Sequence, residues 1–239
     1  MKILLLGYGK MGKTIEKIAI ERGHSIVGKI DLQNRADMDQ LQSTDVDVAI
    51  EFSSPESAFD NITYCLKKGW PIVSGTTGWL EHRTEIETLC KEKNGSFFYA
   101  SNYSIGVNLF FRLNRQLARL MNGHGYHASM TEIHHIHKLD APSGTAITLA
   151  EGLIDEAVDL EGWKLAPENG QNYLQIVSER EGEVPGTHII RYESEVDRIE
   201  ISHTAHNRAG FALGAVISAE WLPGRHGVFG MNDLLKNLD

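Results

Sequence analysis

The sequence predicts an α/β chain in two parts: a doubly wound parallel sheet of the Rossmann type, then a second, α+β domain whose sheet is mixed or antiparallel. Three observations predict it. A short apolar strand opens the chain and passes through a glycine-rich turn into an amphipathic helix. Strand and helix patterns then alternate to about residue 104, and past residue 108 the strands lengthen and take on a period of two.

Residues 2–6 form the first strand, an Ile/Leu run. Gly7-Tyr8-Gly9-Lys10-Met11-Gly12 follows it as G-x-G-x-x-G, and residues 13–22 form an amphipathic helix that stops at Gly23. Glycines at those places permit a tight turn, close approach of the backbone to a pyrophosphate, and close packing of helix on strand. The helix N-terminus adds free N–H groups and positive potential. A second strand, 25–30, ends on Asp31, about 20 residues past the glycines, where a carboxylate accepts hydrogen bonds from the hydroxyls of an adenosine ribose. The glycines alone would suit an ordinary structural turn, but strand, loop, helix, strand and acid together predict dinucleotide binding.

Strand three, 46–52, is apolar except at its acids, as a central strand covered on both faces should be. Ser53-Ser54-Pro55-Glu56 caps a helix over 55–68 with Pro in the first turn. Strand four, 71–74, leads into Gly75-Thr76-Thr77-Gly78, and a helix over 81–93 and strand five, 96–100, complete the series. Ligands of open parallel sheets lie beyond the carboxyl ends of the strands, so Gly75, Thr76 and Thr77, with Ala100, Ser101, Asn102 and Tyr103, are expected beside the nicotinamide half of the dinucleotide. Turn chemistry explains such loops equally well. A helix over 109–121 then opens the second domain, in which 126–135, 174–179, 186–194 and 198–204 read as strands and 145–158 as a helix. A small-residue helix over 209–221 returns to the first domain, which is expected to comprise 1–104 and 209–239, with 105–208 forming the second.

Lys and Arg number 23 against 32 Asp and Glu, a net charge of −9, and no basic cluster interrupts the balance, so no nucleic-acid partner is expected. No run approaches the ~20 apolar residues of a membrane span, and no secretory leader is read at the start. Cys65 and Cys90 fit no metal or redox spacing, so two reduced thiols and a cytoplasmic location are expected.

Chemistry is densest in Glu132-Ile133-His134-His135-Ile136-His137-Lys138-Leu139-Asp140-Ala141-Pro142-Ser143-Gly144-Thr145-Ala146. Ser143, Gly144 and Thr145 stand at a helix start, where hydroxyl and N–H donors form an anion site suited to a carboxylate. On one continuous strand His134 and Lys138 would lie roughly 13 Å apart, so the strand must end near His135 and the chain curl for both to reach one small acid. A zinc site is the rival reading: His135 and His137 have i, i+2 spacing, with His134, His203 or His206 as a third ligand, but the Lys138 ammonium beside a cation opposes it. No metal is expected.

The chain resembles the dihydrodipicolinate (4-hydroxy-tetrahydrodipicolinate) reductases of bacterial lysine and diaminopimelate synthesis. The likeness rests on the Gly7–Gly12 loop with Met11, on Glu51-Phe52-Ser53, on Gly75-Thr76-Thr77-Gly78, on the stretch 100–108, on the block 132–146, and on Ile201-Ser202-His203 through Arg208 to Gly214-Ala215-Val216. It implies a homotetramer built through the second domain, and reduction of a cyclic unsaturated dicarboxylate by NADH or NADPH. His134 would then be the proton donor and Lys138 its partner, with His135, Ser143, Gly144, Thr145 and Thr77 toward the substrate. Gly7, Tyr8, Gly9, Lys10, Met11, Gly12, Asp31, Gly75 to Thr77 and Ala100 to Tyr103 would contact the cofactor. Where some relatives carry Glu-Arg after strand two, this chain has Asp31-Leu32, which favours NADH. Two other functions compete. A semialdehyde-type dehydrogenase of amino-acid metabolism would need a nucleophilic cysteine at a strand end, and both cysteines fall within predicted helices. A non-catalytic NAD(H)-sensing protein would have no use for the His/Lys segment.

Overall fold

In a computed structural model, which describes residues 1–207 and 209–236, the chain divides into two compact units, Met1–Ile105 with Ala209–Asp239, and Gly106–Arg208. Arg208, one of the residues in the family-like closing stretch, lies outside the described residues.

The first unit carries a six-stranded sheet in the order β11-β5-β4-β3-β1-β2: β1 (Lys2–Leu6), β2 (Ser25–Ile30), β3 (Val48–Glu51), β4 (Ile72–Ser74), β5 (Ser96–Tyr99) and β11 (Gly227–Phe229), all in parallel register. Side chains alternate across it, and both faces are covered. Ile3, Leu5, Val48 and Ile50 pack with Ile15 and Ala19 of α1 (Lys10–Glu21) and with Ala212, Ala215, Val216 and Ala219 of α6 (Ala209–Trp221). Leu4, Leu6, Ala49 and Ile72 face α2 (Pro55–Lys68) and α3 (Arg83–Glu92). The small residues of α6 are required there, since a Cβ at Gly214 would stand 1.7 Å from the Tyr103 carbonyl oxygen.

Several expected boundaries move. Helix α1 begins at Lys10, not at residue 13, because Gly9 is its N-cap and Lys10, Met11 and Gly12 form its first turn. The β2–β3 crossover is two short 3-10 turns, Arg35–Gln40 and Ser43–Asp45. Strand β11 and α7 (Met231–Leu235) have no counterpart in the sequence reading, and neither does β7 (Gly162–Leu165) of the second unit.

The second unit is a five-stranded mixed sheet, β10-β9-β6-β8-β7, built from β6 (His127–His134), β7, β8 (Tyr173–Arg180), β9 (Thr187–Glu193) and β10 (Arg198–Thr204). Strands β6, β7 and β8 are mutually parallel in order β6-β8-β7, and β9 runs antiparallel to β6 and β10. Helices α4 (Ile105–Met121) and α5 (Gly144–Ile154) cover one face, where Met130, Ile176 and Ile190 meet Phe110, Ala146 and Leu149. Helix α4 starts four residues earlier than its apolar stripe suggests, and α5 stops at Ile154, short of the expected 158. No described helix is long and apolar enough to cross a membrane.

Candidate active site

The first unit gathers its glycines where the chain order reverses, at the carboxyl ends of β1 and β3, the place where doubly wound sheets bind ligands. Gly7 has φ +90°, and a Cβ on it would fall 2.0 Å from the Phe52 carbonyl oxygen. A Cβ on Gly12 would fall 2.3 Å from the Gly7 oxygen, whereas one on Gly9 would meet nothing within 4 Å. Two glycines therefore close the turn, and the third leaves its surface open. Gly9 caps α1 without a side-chain hydrogen bond, so the helix amino end keeps its N–H groups for an anion. A cleft of about 240 Å³ runs from Gly7, Tyr8 and Gly9 past Asp31, Leu32 and Arg35 to Phe52 and Ser53. Open backbone, free helix end and ribose-side carboxylate fit a dinucleotide. Gly12→Ala is expected to weaken nucleotide binding at least tenfold and to lower stability by 1–3 kcal/mol, because neither partner of its contact is a side chain that can move; titration of NADH fluorescence and thermal melting check this.

One carboxylate ties the neighbouring loop ends together. Glu51, wholly buried at the end of β3, accepts hydrogen bonds from the Ser53 N–H (2.9 Å), the Ser53 hydroxyl (2.5 Å), the Ser74 hydroxyl (2.6 Å) and the Thr76 hydroxyl (2.6 Å). Thr76 is thus buried and spent on Glu51, while Thr77 is exposed. Gly75 is required by the Phe52 ring, 2.2 Å from where its Cβ would be. Beyond β5, Ala100 is buried, Ser101 is exposed, and Asn102 accepts the Ser104 N–H. The Tyr103 hydroxyl is donated to the Ser74 carbonyl in the core (2.6 Å), so that hydroxyl is already spent within the protein. Lys10 is exposed on the first turn of α1 and Met11 packs against the core beneath it. The Tyr8 hydroxyl donates to Glu16, and the Lys29 ammonium lies 4.9 Å above its ring.

In the second unit, strand register assembles the polar cluster. Glu132 stands opposite Ser178 on β8 and His188 on β9, and His134 stands opposite Arg180. These side chains lie on the face that carries Met130, Ile176 and Ile190, so the row that begins as core turns polar in its last two places. Strand β6 ends at His134, and a turn closed by the Lys138 N–H on the His135 carbonyl (3.1 Å) brings the chain back. Lys138 then ion-pairs with Asp140, 2.8 Å and 2.9 Å to its two oxygens, holding that carboxyl below its usual range. Ser143 caps α5: its hydroxyl accepts the Ala146 N–H and lies 3.2 Å from His188 Nε2, and its own N–H goes to Glu132. Its hydroxyl is committed to the cap. Gly144 is exposed with open space where a Cβ would be, and Thr145 is half-buried, so their N–H groups form the accessible part of the helix end.

Burial lowers His134, an effect that the nearby Glu132 charge opposes and Lys138, Arg180 and His135 reinforce. Burial likewise pushes His188 down to about 4. Glu132 is wholly buried; burial would raise it, but hydrogen bonds from Ser143 and Ser178 prevail and it stays lowered. The pair read from the sequence as a zinc site, His135 and His137, does not belong to a ligand cluster among the described residues, and exposed His137 turns to Glu183. Among the described residues, ligand-type atoms converge instead on Glu132, His134 and His188, all within 4.8 Å. There the carboxylate is already taken by Ser143 and Ser178, and the Arg180 guanidinium stands 3.8 Å away, which disfavours a further cation. Ser178, Arg180 and His188 had no role in the sequence reading, and Glu51 entered it only within the family-like Glu51-Phe52-Ser53. The signal for Glu51 is a single acid at the end of an otherwise apolar strand; β6 is polar at several positions, so Glu132 carries no such mark.

A dinucleotide cradle in one unit and an acid, imidazole and ammonium cluster in the other are the parts that a pyridine-nucleotide-dependent reductase requires. The family described as "Dihydrodipicolinate reductase, N-terminus" matches residues 1–103, and "Dihydrodipicolinate reductase, C-terminus" matches residues 106–235. The 4-hydroxy-tetrahydrodipicolinate reductase of Christiangramia forsetii is 50% identical over 241 residues, covering 100% of this chain and 99% of that one. That of Methanopyrus kandleri is 37% identical over 80% of this chain and 72% of its own. Among solved structures, dipicolinate-bound dihydrodipicolinate reductase from Paenisporosarcina sp. TG-14 superposes with a TM-score of 0.82 over 98% of this chain and 99% of that chain at 20% identity, a likeness of fold. The chain belongs to the dihydrodipicolinate reductase family and is an NAD(P)H-dependent oxidoreductase of lysine and diaminopimelate synthesis.

Proposed function

We propose that the second unit binds 4-hydroxy-tetrahydrodipicolinate or its dehydrated form and that His134 and Lys138 carry the chemistry. The observation behind this is the convergence of a buried imidazole, an ammonium and the open N–H groups of Gly144 and Thr145 at the end of one sheet face. When bound, NAD(P)H supplies the hydride that reduces the ring carbon conjugated to the imine. The displaced electron pair moves toward the ring nitrogen, where the Lys138 ammonium and the α5 donors oppose its charge. Protonated His134, whose Nδ1 faces Glu132, delivers the Nε2 proton to the neighbouring carbon. His135 and the two helix-end N–H groups hold carboxylate, and a dianionic substrate offsets the cationic surroundings that depress His134.

The test is NADH oxidation on mixing with pyruvate, aspartate semialdehyde and the synthase that condenses them; absence of turnover with that mixture sinks the reading. A flat aromatic ring with two carboxylates ortho to its nitrogen should compete with substrate, and Lys138→Ala should abolish the competition.

Asp31 supports NADH as the better cofactor. A carboxylate at the cleft accepts both ribose hydroxyls, and a 2′-phosphate there meets like charge. Arg35 lines the same cleft but is held by the Asn61 side-chain oxygen, 2.5 Å away, which limits its service to a phosphate. The expected preference in kcat/KM is modest, about 3- to 30-fold, or about 0.7 to 2 kcal/mol. Asp31→Ser with Leu32→Arg should move the ratio toward NADPH; steady-state kinetics with both cofactors at matched ionic strength measure it.

The same reading makes the assembly a homotetramer joined through the second unit. Its sheet face opposite α4 and α5 presents half-buried Ile133, Val177 and Ile189, a surface that supports sheet-to-sheet association. Sedimentation of the wild type and of Val177→Glu decides it.

A further inference from the structure

We propose that Glu132 is a positioning residue for the proton donor: its buried carboxylate, pinned by Ser143 and Ser178, orients the His134 ring through Nδ1 and sustains the positive charge that the ring must carry before it gives up its proton. The proposal rests on His134 being that donor.

The geometry begins with an unspent atom. His134 Nδ1 is buried without a hydrogen-bond partner, and the nearest carboxylate oxygen, Glu132 Oε2, is 3.4 Å away. That is charge contact, slightly long for a good hydrogen bond, and such catalytic contacts tighten when substrate arrives. The carboxylate is not free to wander. Ser143 N–H donates to both of its oxygens at 3.0 Å and 3.1 Å, and the Ser178 hydroxyl donates to Oε1 at 2.7 Å.

The surroundings explain why a carboxylate is needed. Facing the ring are His135 from its own chain segment, Lys138 from the turn after β6, Arg180 from β8 and His188 from β9. Lys138 and Arg180 are cations, and an imidazolium beside them is disfavoured. His188 stays neutral through burial, its ring centroid 5.2 Å from that of His134, and adds no third charge. Glu132 supplies the opposing charge. Its bond to the Ser143 N–H also joins the proton donor to the cap of α5, whose next two N–H groups form the anion site, so one side chain registers acid against substrate carboxylate.

Proton donation requires the charged ring, so activity falls as pH rises through the His134 pKa. Glu132 raises that pKa, and removing its charge must move the alkaline limb of kcat/KM to lower pH. Glu132→Gln is expected to shift the limb down by about 1 pH unit, a roughly tenfold loss on the alkaline side, with the His134 Cε1 proton titrating lower by the same amount in NMR of the free enzyme. Ser178→Ala removes a donor that competes for the carboxylate charge and should shift both readouts upward. That second variant carries the test by itself if Glu132→Gln fails to fold. His134→Gln should abolish the limb. A limb absent in His134→Gln but unmoved in a folded Glu132→Gln, or unmoved or lowered in Ser178→Ala, overturns the role of Glu132 and leaves His134 as donor. A limb that persists in His134→Gln overturns both.

Discussion

His134→Gln is expected to lower turnover by about 10²- to 10³-fold while leaving NADH affinity nearly unchanged, the usual cost of losing a positioned general acid. The separation of effects follows from the fold. His134 ends β6 in the second unit, whereas the glycine turn, Asp31 and the Glu51-braced loops all belong to the first. Gln keeps the size and one hydrogen-bonding end of the imidazole but cannot carry a proton to carbon. Rapid-mixing measurement of NADH oxidation, with NADH affinity taken from fluorescence, reads the two quantities separately; wild-type turnover in the variant would remove His134 from the mechanism.

Lys138→Ala should damage both turnover and substrate KM, lowering kcat/KM by about 10²-fold or more, since one charge attracts the carboxylate and also meets the charge that develops in the transition state. The ion pair with Asp140 makes the loss worse than a simple deletion. Without the ammonium, the Asp140 carboxylate is left beside an anion-binding pocket and repels the substrate. Lys138→Ala combined with Asp140→Asn should therefore recover part of KM and little of kcat. A variant in which NADH affinity alone falls would place Lys138 outside the substrate pocket.

The first unit was largely legible because buried parallel strands are short apolar runs with turn residues at each end, and β1, β2 and α2 could be bounded to the residue. The short elements β7, β11 and α7 lie outside the strand-and-helix alternation that identified strands of equal length in the first unit, and offer too few positions for a period of their own to show. Helix α1 begins inside the glycine motif because Gly12 serves both the turn and the helix, a double use that residue type does not disclose. In the second unit, His134, Lys138 and the start of α5 could be found because they lie close along the chain. Ser178, Arg180 and His188 could not, because strand register alone puts them against Glu132 and His134. Ser143 and Tyr103 carry hydroxyls that look available in the sequence and are consumed in the fold by a helix cap and a backbone carbonyl.

The first unit is drawn from both ends of the chain, and this bears on how the protein is made. When a ribosome has released residues 1–105, strands β1 to β5 and α1 exist, but α6, the other helix that shelters Ile3, Leu5, Val48 and Ile50, does not. At 5–20 residues per second, α6 emerges roughly 5 to 20 s later. Through that interval the nascent sheet has one apolar face half bare and the β5 edge unpaired, while the contiguous second unit, synthesised meanwhile, can close its own core. Maturation thus runs against the direction of translation, and a chain arrested near residue 208 would present a sticky, unfinished nucleotide half to chaperones and proteases.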